Sequence, residues 1–186
     1  MSAKPEPPTP PELEPATPAD LFARLAALGI RSETHYHPPL FTVEESKALR
    51  GALPGAHCKS LFLKDKKGTM WLVVALEDRR LDMKALAGVI GAARLSFARP
   101  ARLGADLGIA PGAVTPFALI NHRGRADHGV RVILDAEMMR APLVNYHPLV
   151  NTATTAVTPA DLLRFIADCG HRPKIVDLAP ATAAGA

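Results

Sequence analysis

Cysteine is scarce in this sequence, and hydrophobic runs long enough to cross a membrane are absent. Only Cys58 and Cys169 occur, far apart and without CxxC spacing, so two reduced thiols are expected rather than a disulfide framework or a zinc knuckle. No stretch of about 18 uncharged apolar residues exists, and no charged-then-apolar leader opens the chain. These absences predict a cytoplasmic protein that does not interact with membranes.

A large excess of charge of one sign is also absent, because 22 Lys and Arg residues are nearly balanced by 18 Asp and Glu residues, for a net charge of +4. This small excess permits a polyanionic partner without requiring one. The 186 residues, 48% of them hydrophobic, suffice for one domain with a sizeable core. Seven prolines among the first 18 residues favour polyproline II over packed structure. We therefore expect a disordered tail over residues 1–17, a folded domain over 18–178 and a flexible tail over 179–186.

Common catalytic templates are missing as well. The sequence has no GxxxxGK[ST], GxGxxG, HExxH or GxSxG motif. Nucleotide hydrolysis, Rossmann redox chemistry, zinc proteolysis and α/β-hydrolase activity are therefore not indicated by any motif. His35 and His37 would share a face of a strand, but without a third ligand a surface pair is favoured over a metal site. Cys58 lies next to Lys59, yet no histidine partner is visible, which favours an inward-pointing strand residue over a nucleophile. No metal and no cofactor are expected.

Hydrophobic periodicity predicts an irregular mixture of helices and strands. A helix capped by Thr17 should begin at Pro18 and end at Gly29. Residues 59–65 and 69–77 predict a β-hairpin of two buried strands. The remaining predictions are strands at 32–37 and 173–178, helices at 43–51, 81–91, 100–108 and 159–170, and a strand running into a helical turn at 131–140. This order predicts a mixed α/β or α+β sheet.

Glycine and proline interrupt residues 108–120 at four positions. A loop of this composition keeps some of its N–H groups out of any regular ladder, here those of Ala113, Val114 and Thr115. Such donors can bind an oxyanion, although the composition by itself favours an ordinary Gly/Pro loop over a functional one.

Two further segments put polar groups into an apolar frame. In a strand, Cys58, Ser60 and Phe62 share one face and Lys59 shares the other with leucines. A cation on that face needs a pocket, a partner or a strand end. The stretch YHPLVNTATTAV at 146–157 is polar between apolar runs, which suits either a solvated strand edge or the wall of a binding site.

Several of these segments together resemble one family. HCKSLFLKD, LVVALEDRRLDMKAL, RLSFA, GAVTPFALIN and YHPLVNTATTAVTPADLLRF are similar to the YbaK family of the prolyl-tRNA editing superfamily. The resemblance covers about residues 20–178 and is greatest to the free-standing alanyl-tRNA(Pro) deacylases, often called ProXp-ala or PrdX. It implies a single α+β domain with a mixed, mostly antiparallel sheet or partial barrel surrounded by helices.

The resemblance also implies an activity and a site. Members hydrolyse the ester between a wrong amino acid and tRNA without a metal or a covalent nucleophile, and they are thought to use the substrate's own 2′-hydroxyl to position the attacking water. The implied catalytic residues are Lys59, Gly112, Ala113, Val114, Thr115 and His147. Substrate contacts are implied for Ser60, Pro116, Asn151, Thr152 and Thr154. Ser60 stands where the family pattern leads us to expect Asn, so substrate preference could differ.

The implied partner is the acceptor end of tRNA(Pro), with prolyl-tRNA synthetase or an elongation factor as further partners of a monomer. Basic side chains beside the predicted hairpin suit phosphate contacts, although a solvated surface explains them equally well. They are Lys64, Lys66, Lys67, Arg79, Arg80 and Lys84. Two other functions stay open: a deacylase for cysteine, serine or 2-aminobutyrate, and a non-catalytic module that binds tRNA or a synthetase.

Overall fold

The computed structural model describes residues 14–39, 53–123 and 129–179. The helix expected at 43–51 and most of the two expected tails lie outside these ranges. Helix α1, Pro18–Ala27, begins as predicted: the Thr17 hydroxyl accepts from the Asp20 N–H, and the Asp20 carboxylate accepts from the Thr17 N–H at 2.8 Å. This reciprocal cap satisfies donors that the first turn of a helix cannot satisfy itself.

The predicted hairpin is confirmed by strands β2, Ala56–Asp65, and β3, Met70–Leu76, which pair antiparallel. Asp65 closes the turn because its carboxylate accepts from the N–H groups of Lys67 and Thr69, each at 2.9 Å. Gly68 has φ +90°, a conformation that residues with a side chain rarely adopt. The turn is therefore specified by local sequence.

The other strands of the described residues are β1 (Glu33–Tyr36), β4 (Leu95–Phe97), β5 (Val130–Asp135), β6 (Val144–Tyr146), β7 (Ala153–Val157) and β8 (Lys174–Val176). Together these eight strands form one mixed sheet in the order β1-β7-β6-β2-β3-β5-β8, with β4 pairing on β2. Pairing is antiparallel in β1–β7, β7–β6, β2–β3 and β2–β4, and parallel in β6–β2, β3–β5 and β5–β8. The mixed α/β prediction is confirmed, with β8 at an edge.

Two of the other predicted helices are confirmed and one differs. Helix α2 spans Met83–Ile90 with an Asp82 cap, and α3 spans Pro159–Asp168 with a Thr158 cap. The helix expected over 100–108 is instead one α-helical turn, Pro100–Arg102, followed by a π-helix, Leu103–Leu107. Residues Pro116–His122 form a 3-10 helix. Within the described ranges, no helix has the length and hydrophobicity needed to cross a membrane.

The sheet separates two hydrophobic cores. The larger one contains Phe62 of β2, Phe117 of the 3-10 helix and Phe165 of α3. The smaller one lies under α2 and contains Leu63 of β2 and Trp71 of β3. Because side chains alternate along a strand, β2 contributes to both cores, as the sequence predicted.

The β2–β6 junction depends on Gly55, and this gives a testable prediction for stability. Gly55 has φ +96°, and an added Cβ would lie 2.7 Å from the Leu143 Cβ. In Gly55→Ala we expect the strain of a positive φ, roughly 1–2 kcal/mol, plus roughly 1–3 kcal/mol for overpacking, measured by urea denaturation.

The matched control is Gly68→Ala, since Gly68 has φ +90° but nothing within 4 Å of an added Cβ. It should lose the backbone contribution alone. Equal losses in the two variants would show that the close approach of Leu143 does not limit position 55.

Candidate functional site

The candidate site lies where β2 changes its neighbour. Ala56 and His57 pair with β6, and Leu63 to Asp65 pair with β4. Between these pairings, Ser60 has β3 on one side and no strand partner from the described chain on the other. The Phe62 carbonyl accepts from Ala98 on this open side, so by alternation the main chain of Ser60 faces the open interval too.

The loop before the 3-10 helix lies on the same face of the sheet as the Ser60 side chain. Val114 packs against the larger core, which also contains Phe62 and Phe117. Within the loop, the Ala113 N–H donates to the Ala110 carbonyl at 3.2 Å, so this donor is used locally. The N–H groups of Val114 and Thr115 have no acceptor among the described residues. These two adjacent N–H groups are therefore unpaired within the described chain, as the donors of an oxyanion site are before substrate binds.

Thr115 is held in place by its own hydrogen bonds. Its side chain is fully buried, and its hydroxyl accepts from the Phe117 N–H at 3.3 Å. Its carbonyl accepts from the Ala118 N–H at 3.2 Å, and Pro116 occupies the first helical position. The start of the 3-10 helix thus fixes the main chain next to the available donors.

The loop meets the β6–β7 connection at Gly112. A Cβ added to Gly112, whose φ is +88°, would lie 3.9 Å from the Asn151 side-chain nitrogen. The glycine loop and the Asn-Thr segment therefore lie next to each other in the structure. Pro116, in the element that follows the loop, therefore lies near the connection that contains Asn151. The next residue, Thr152, is exposed to solvent.

His147 begins this connection and its ring is oriented by the main chain. Its Nδ1 lies 2.9 Å from the Ala153 carbonyl oxygen, which can only accept. The neutral ring therefore carries its hydrogen on Nδ1 and leaves a lone pair on Nε2. Leu149, two residues later, has φ +69° in a buried position, a conformation that costs about 1–3 kcal/mol.

His37 belongs to the same neighbourhood and was missed as a site residue by sequence reasoning. Its Nε2 lies 3.0 Å from the Thr154 hydroxyl, its main-chain N–H donates to the Thr152 carbonyl, and its ring centroid lies 6.3 Å from that of His147. The pairing of β1 with β7 causes this approach. Nothing local in the sequence indicates it, because about 110 residues separate the two histidines.

His35, the other member of the suggested metal pair, is directed elsewhere. Its Nε2 contacts the Glu33 carboxylate at 3.1 Å. Within the described ranges, no three His, Cys, Asp or Glu side chains are grouped to hold a metal ion.

Lys59 lies on the opposite face of β2 from the loop. Its ammonium donates to the carbonyl of Arg79, in the turn after β3. Burial lowers the pKa of Lys59, while the carboxylates of Glu77 and Asp78 act in the other direction. The structure therefore places Ser60 on the loop side of β2 and Lys59 on the other side, where the Arg79 carbonyl accepts from its ammonium.

Comparison with known proteins places this geometry in a family. The family model of the aminoacyl-tRNA editing domain matches residues 37–165. The chain belongs to the aminoacyl-tRNA editing domain family. The match begins at His37 and includes β2, the loop, the 3-10 helix and the β6–β7 connection.

Two relatives of this editing domain are similar over nearly their whole length. Prolyl-tRNA synthetase associated domain-containing protein 1 of Bos taurus is 40% identical over 86% of this chain and 94% of that protein. Prolyl-tRNA editing protein ProX of Acetoanaerobium sticklandii is 33% identical over 85% of this chain and 95% of that protein. The crystal structure of the hypothetical protein APE2540 shares the fold, with a TM-score of 0.64, 21% identity, and coverage of 84% of this chain and 97% of the other.

The basic side chains suggested for tRNA binding fall into two groups on the editing domain. Lys64, Lys66 and Lys67 are exposed at the hairpin turn, whereas Arg80 and Lys84 are exposed beyond the far end of β3. A seven-residue strand separates the groups, which is roughly 20 Å. They do not form one cluster beside the hairpin. Arg79 differs from all five, because its guanidinium is bound by Asp135 and Glu137 and only 9% exposed.

Both thiols of the editing domain are held in the protonated form. Burial raises the pKa of Cys58 to about 12, and burial likewise raises that of Cys169 to about 12. Cys58 also donates to the Ala56 carbonyl at 3.5 Å. A thiol with this pKa is poorly suited to nucleophilic catalysis.

The raised thiol pKa predicts slow alkylation. At pH 8 only roughly one thiol in ten thousand is ionised at a pKa of about 12, so iodoacetamide should modify the folded protein far more slowly than the urea-unfolded protein. Mass spectrometry over time measures both rates. Rapid modification of Cys58 in the folded protein would contradict its half-buried, protonated state.

Proposed function

We propose that this protein is a trans-editing deacylase that hydrolyses mischarged alanyl-tRNA(Pro) to alanine and free tRNA(Pro). The observation that carries the proposal is the pair of available N–H donors at Val114 and Thr115, next to the Asn151 turn. Membership of the aminoacyl-tRNA editing family supports the ester of an aminoacyl-tRNA as the substrate class. The name of the ProX relative supports tRNA(Pro).

In the proposed reaction, a water oxygen attacks the ester carbonyl carbon and the bond from that carbon to the ribose oxygen breaks. Negative charge develops on the carbonyl oxygen, and the N–H groups of Val114 and Thr115 stabilise it. The proton lost by water ends on the ribose oxygen that leaves. Gly112 permits the loop conformation, and the Ala113 N–H maintains it by donating to Ala110.

The opposite wall of the proposed pocket comes from β7 and the β6–β7 connection. His147 and Asn151 bound the space for the amino acid side chain, and Thr154, held by His37, lies beside them. A wall of fixed bulk excludes the larger proline ring more easily than it could exclude alanine. Ser60 and Thr152 supply further polar groups, and Lys59 contacts the acceptor end of the tRNA.

A panel of tRNA(Pro) charged with alanine, proline, cysteine, serine or 2-aminobutyrate tests this function. We expect release of alanine and an intact prolyl ester, measured with labelled amino acids. Lys59→Ala should lose most of the activity while circular dichroism shows that it is folded. Equal cleavage of the alanyl and prolyl esters would refute the specificity.

The same panel distinguishes the two alternatives. Preferential cleavage of cysteinyl, seryl or 2-aminobutyryl ester indicates a deacylase of the same family with another substrate. Binding of tRNA without cleavage of any ester indicates a non-catalytic module, which the naming of the animal relatives as synthetase-associated proteins favours.

His147→Ala tests whether the imidazole acts by bulk. Because its Nδ1 is committed to the Ala153 carbonyl, we expect the ring to serve as a wall, so that truncation allows cleavage of prolyl-tRNA(Pro) while alanyl cleavage persists. His35→Ala, which removes a histidine paired with Glu33, is the matched control and should change neither activity. Loss of alanyl cleavage without any gain of prolyl cleavage would point instead to proton transfer by Nε2.

A further inference from the structure

Arg79 forms a clamp with one buried and one exposed carboxylate. Its Nε lies 3.1 Å and its Nη2 3.5 Å from the two Asp135 carboxylate oxygens, and Nη2 also contacts the Glu137 carboxylate. The Asp135 side chain is fully buried and that of Arg79 is 9% exposed. Two carboxylates around one guanidinium, largely out of water, restrict the rotamer of Arg79 strongly.

The carboxylate side of the clamp is anchored in the sheet. Asp135 is the last residue of β5, which pairs with β3 on one side and with β8 on the other. Its Oδ1 also accepts from the Glu137 N–H at 3.2 Å. Arg79 is thus attached to a strand in the interior of the sheet, although it lies in a surface turn.

The main chain of Arg79 contacts Lys59 on the face of β2 that is opposite the 112–115 loop. Its N–H donates to the Leu76 carbonyl at 3.0 Å, which closes the turn after β3, and its carbonyl accepts from the Lys59 ammonium. Lys59 is half-buried, with the carboxylates of Glu77 and Asp78 and the guanidinium of Arg79 as the charges that act on it. The bound side chain of Arg79 therefore fixes the position of the Arg79 carbonyl, and this carbonyl orients the ammonium of Lys59.

We propose that Arg79 is a positioning residue: held by Asp135 and Glu137, it fixes the carbonyl that directs the Lys59 ammonium toward the acceptor end of aminoacyl-tRNA. The inference rests on the proposed function, in which Lys59 makes that contact. It differs from a direct contact of Arg79 with phosphate, because the guanidinium has both carboxylates as partners and little exposure.

The first test uses NMR and needs no substrate. Lysine labelled at Cε and Nζ gives a Lys59 resonance that Lys59→Ala identifies. Arg79→Lys keeps the charge but loses the guanidinium fork, so it should shift this resonance and its titration midpoint. Glu137→Gln removes only the exposed partner and should cause a smaller shift in the same direction. An unchanged Lys59 resonance in both folded variants would overturn the clamp.

The second test is a kinetic double-mutant cycle on alanyl-tRNA(Pro). We expect Arg79→Lys to raise KM about tenfold, the scale of a lost hydrogen bond to a charged group, as Lys59→Ala should do. In the Lys59→Ala background the same change should have little further effect. Additive effects, or a loss confined to kcat through a smaller folded fraction, would overturn the positioning role.

Arg24→Lys is the matched control for the cycle. Arg24 binds Asp168 with the same fork, with Nε 2.7 Å from Oδ2, but has no contact with Lys59. It should lower stability without raising KM. If the unaltered protein cleaves no aminoacyl-tRNA, the proposed function fails, while the NMR experiment still decides whether Arg79 positions Lys59.

Discussion

The change of neighbours along β2 is the constraint on which the sheet and the candidate site depend. β2 pairs first with β6 and then with β4, so its middle has a strand on one side alone within the described chain. Main-chain polar groups need partners wherever water is excluded. An interval of this kind between apolar cores is a place where a polar ligand can supply the missing partner. Ser60 lies in it, and the 112–115 loop packs on the same face.

Some polar groups of the site are hydrogen-bonded within the protein, and others have no partner within the described chain. The Ala113 N–H, the Thr115 hydroxyl and the Nδ1 of His147 each have a partner in the protein. These bonds hold the main chain and the imidazole in one orientation. In the proposed reaction, the donors of Val114 and Thr115 meet the developing charge with little reorganisation, which is the condition for electrostatic stabilisation of a transition state. The strained conformation of Leu149 lies in the same connection.

Much of the fold could be predicted because its signals are local. Thr17 and Thr158 lie three residues from the aspartates that complete their caps, and the alternation in β2 correctly separated Lys59 from Ser60. The three-residue strand β4 was not predicted, since three residues are too few to show a period of two. The π-helix was predicted as an ordinary helix, because its buried leucines at 103 and 107 have helical spacing.

The sequence by itself determined the family pattern, the hairpin, the capped helices and the glycine loop, because each depends on interactions within a few residues. Only the tertiary structure decided that His37 meets Thr154, that Gly112 meets Asn151, that Arg79 is buried against Asp135, and that the basic residues divide into two groups. Those contacts join residues that are about 40 to 120 positions apart, or separate near neighbours by the length of a strand. They follow from strand order and register, which the packing of the whole sheet selects and no local pattern records.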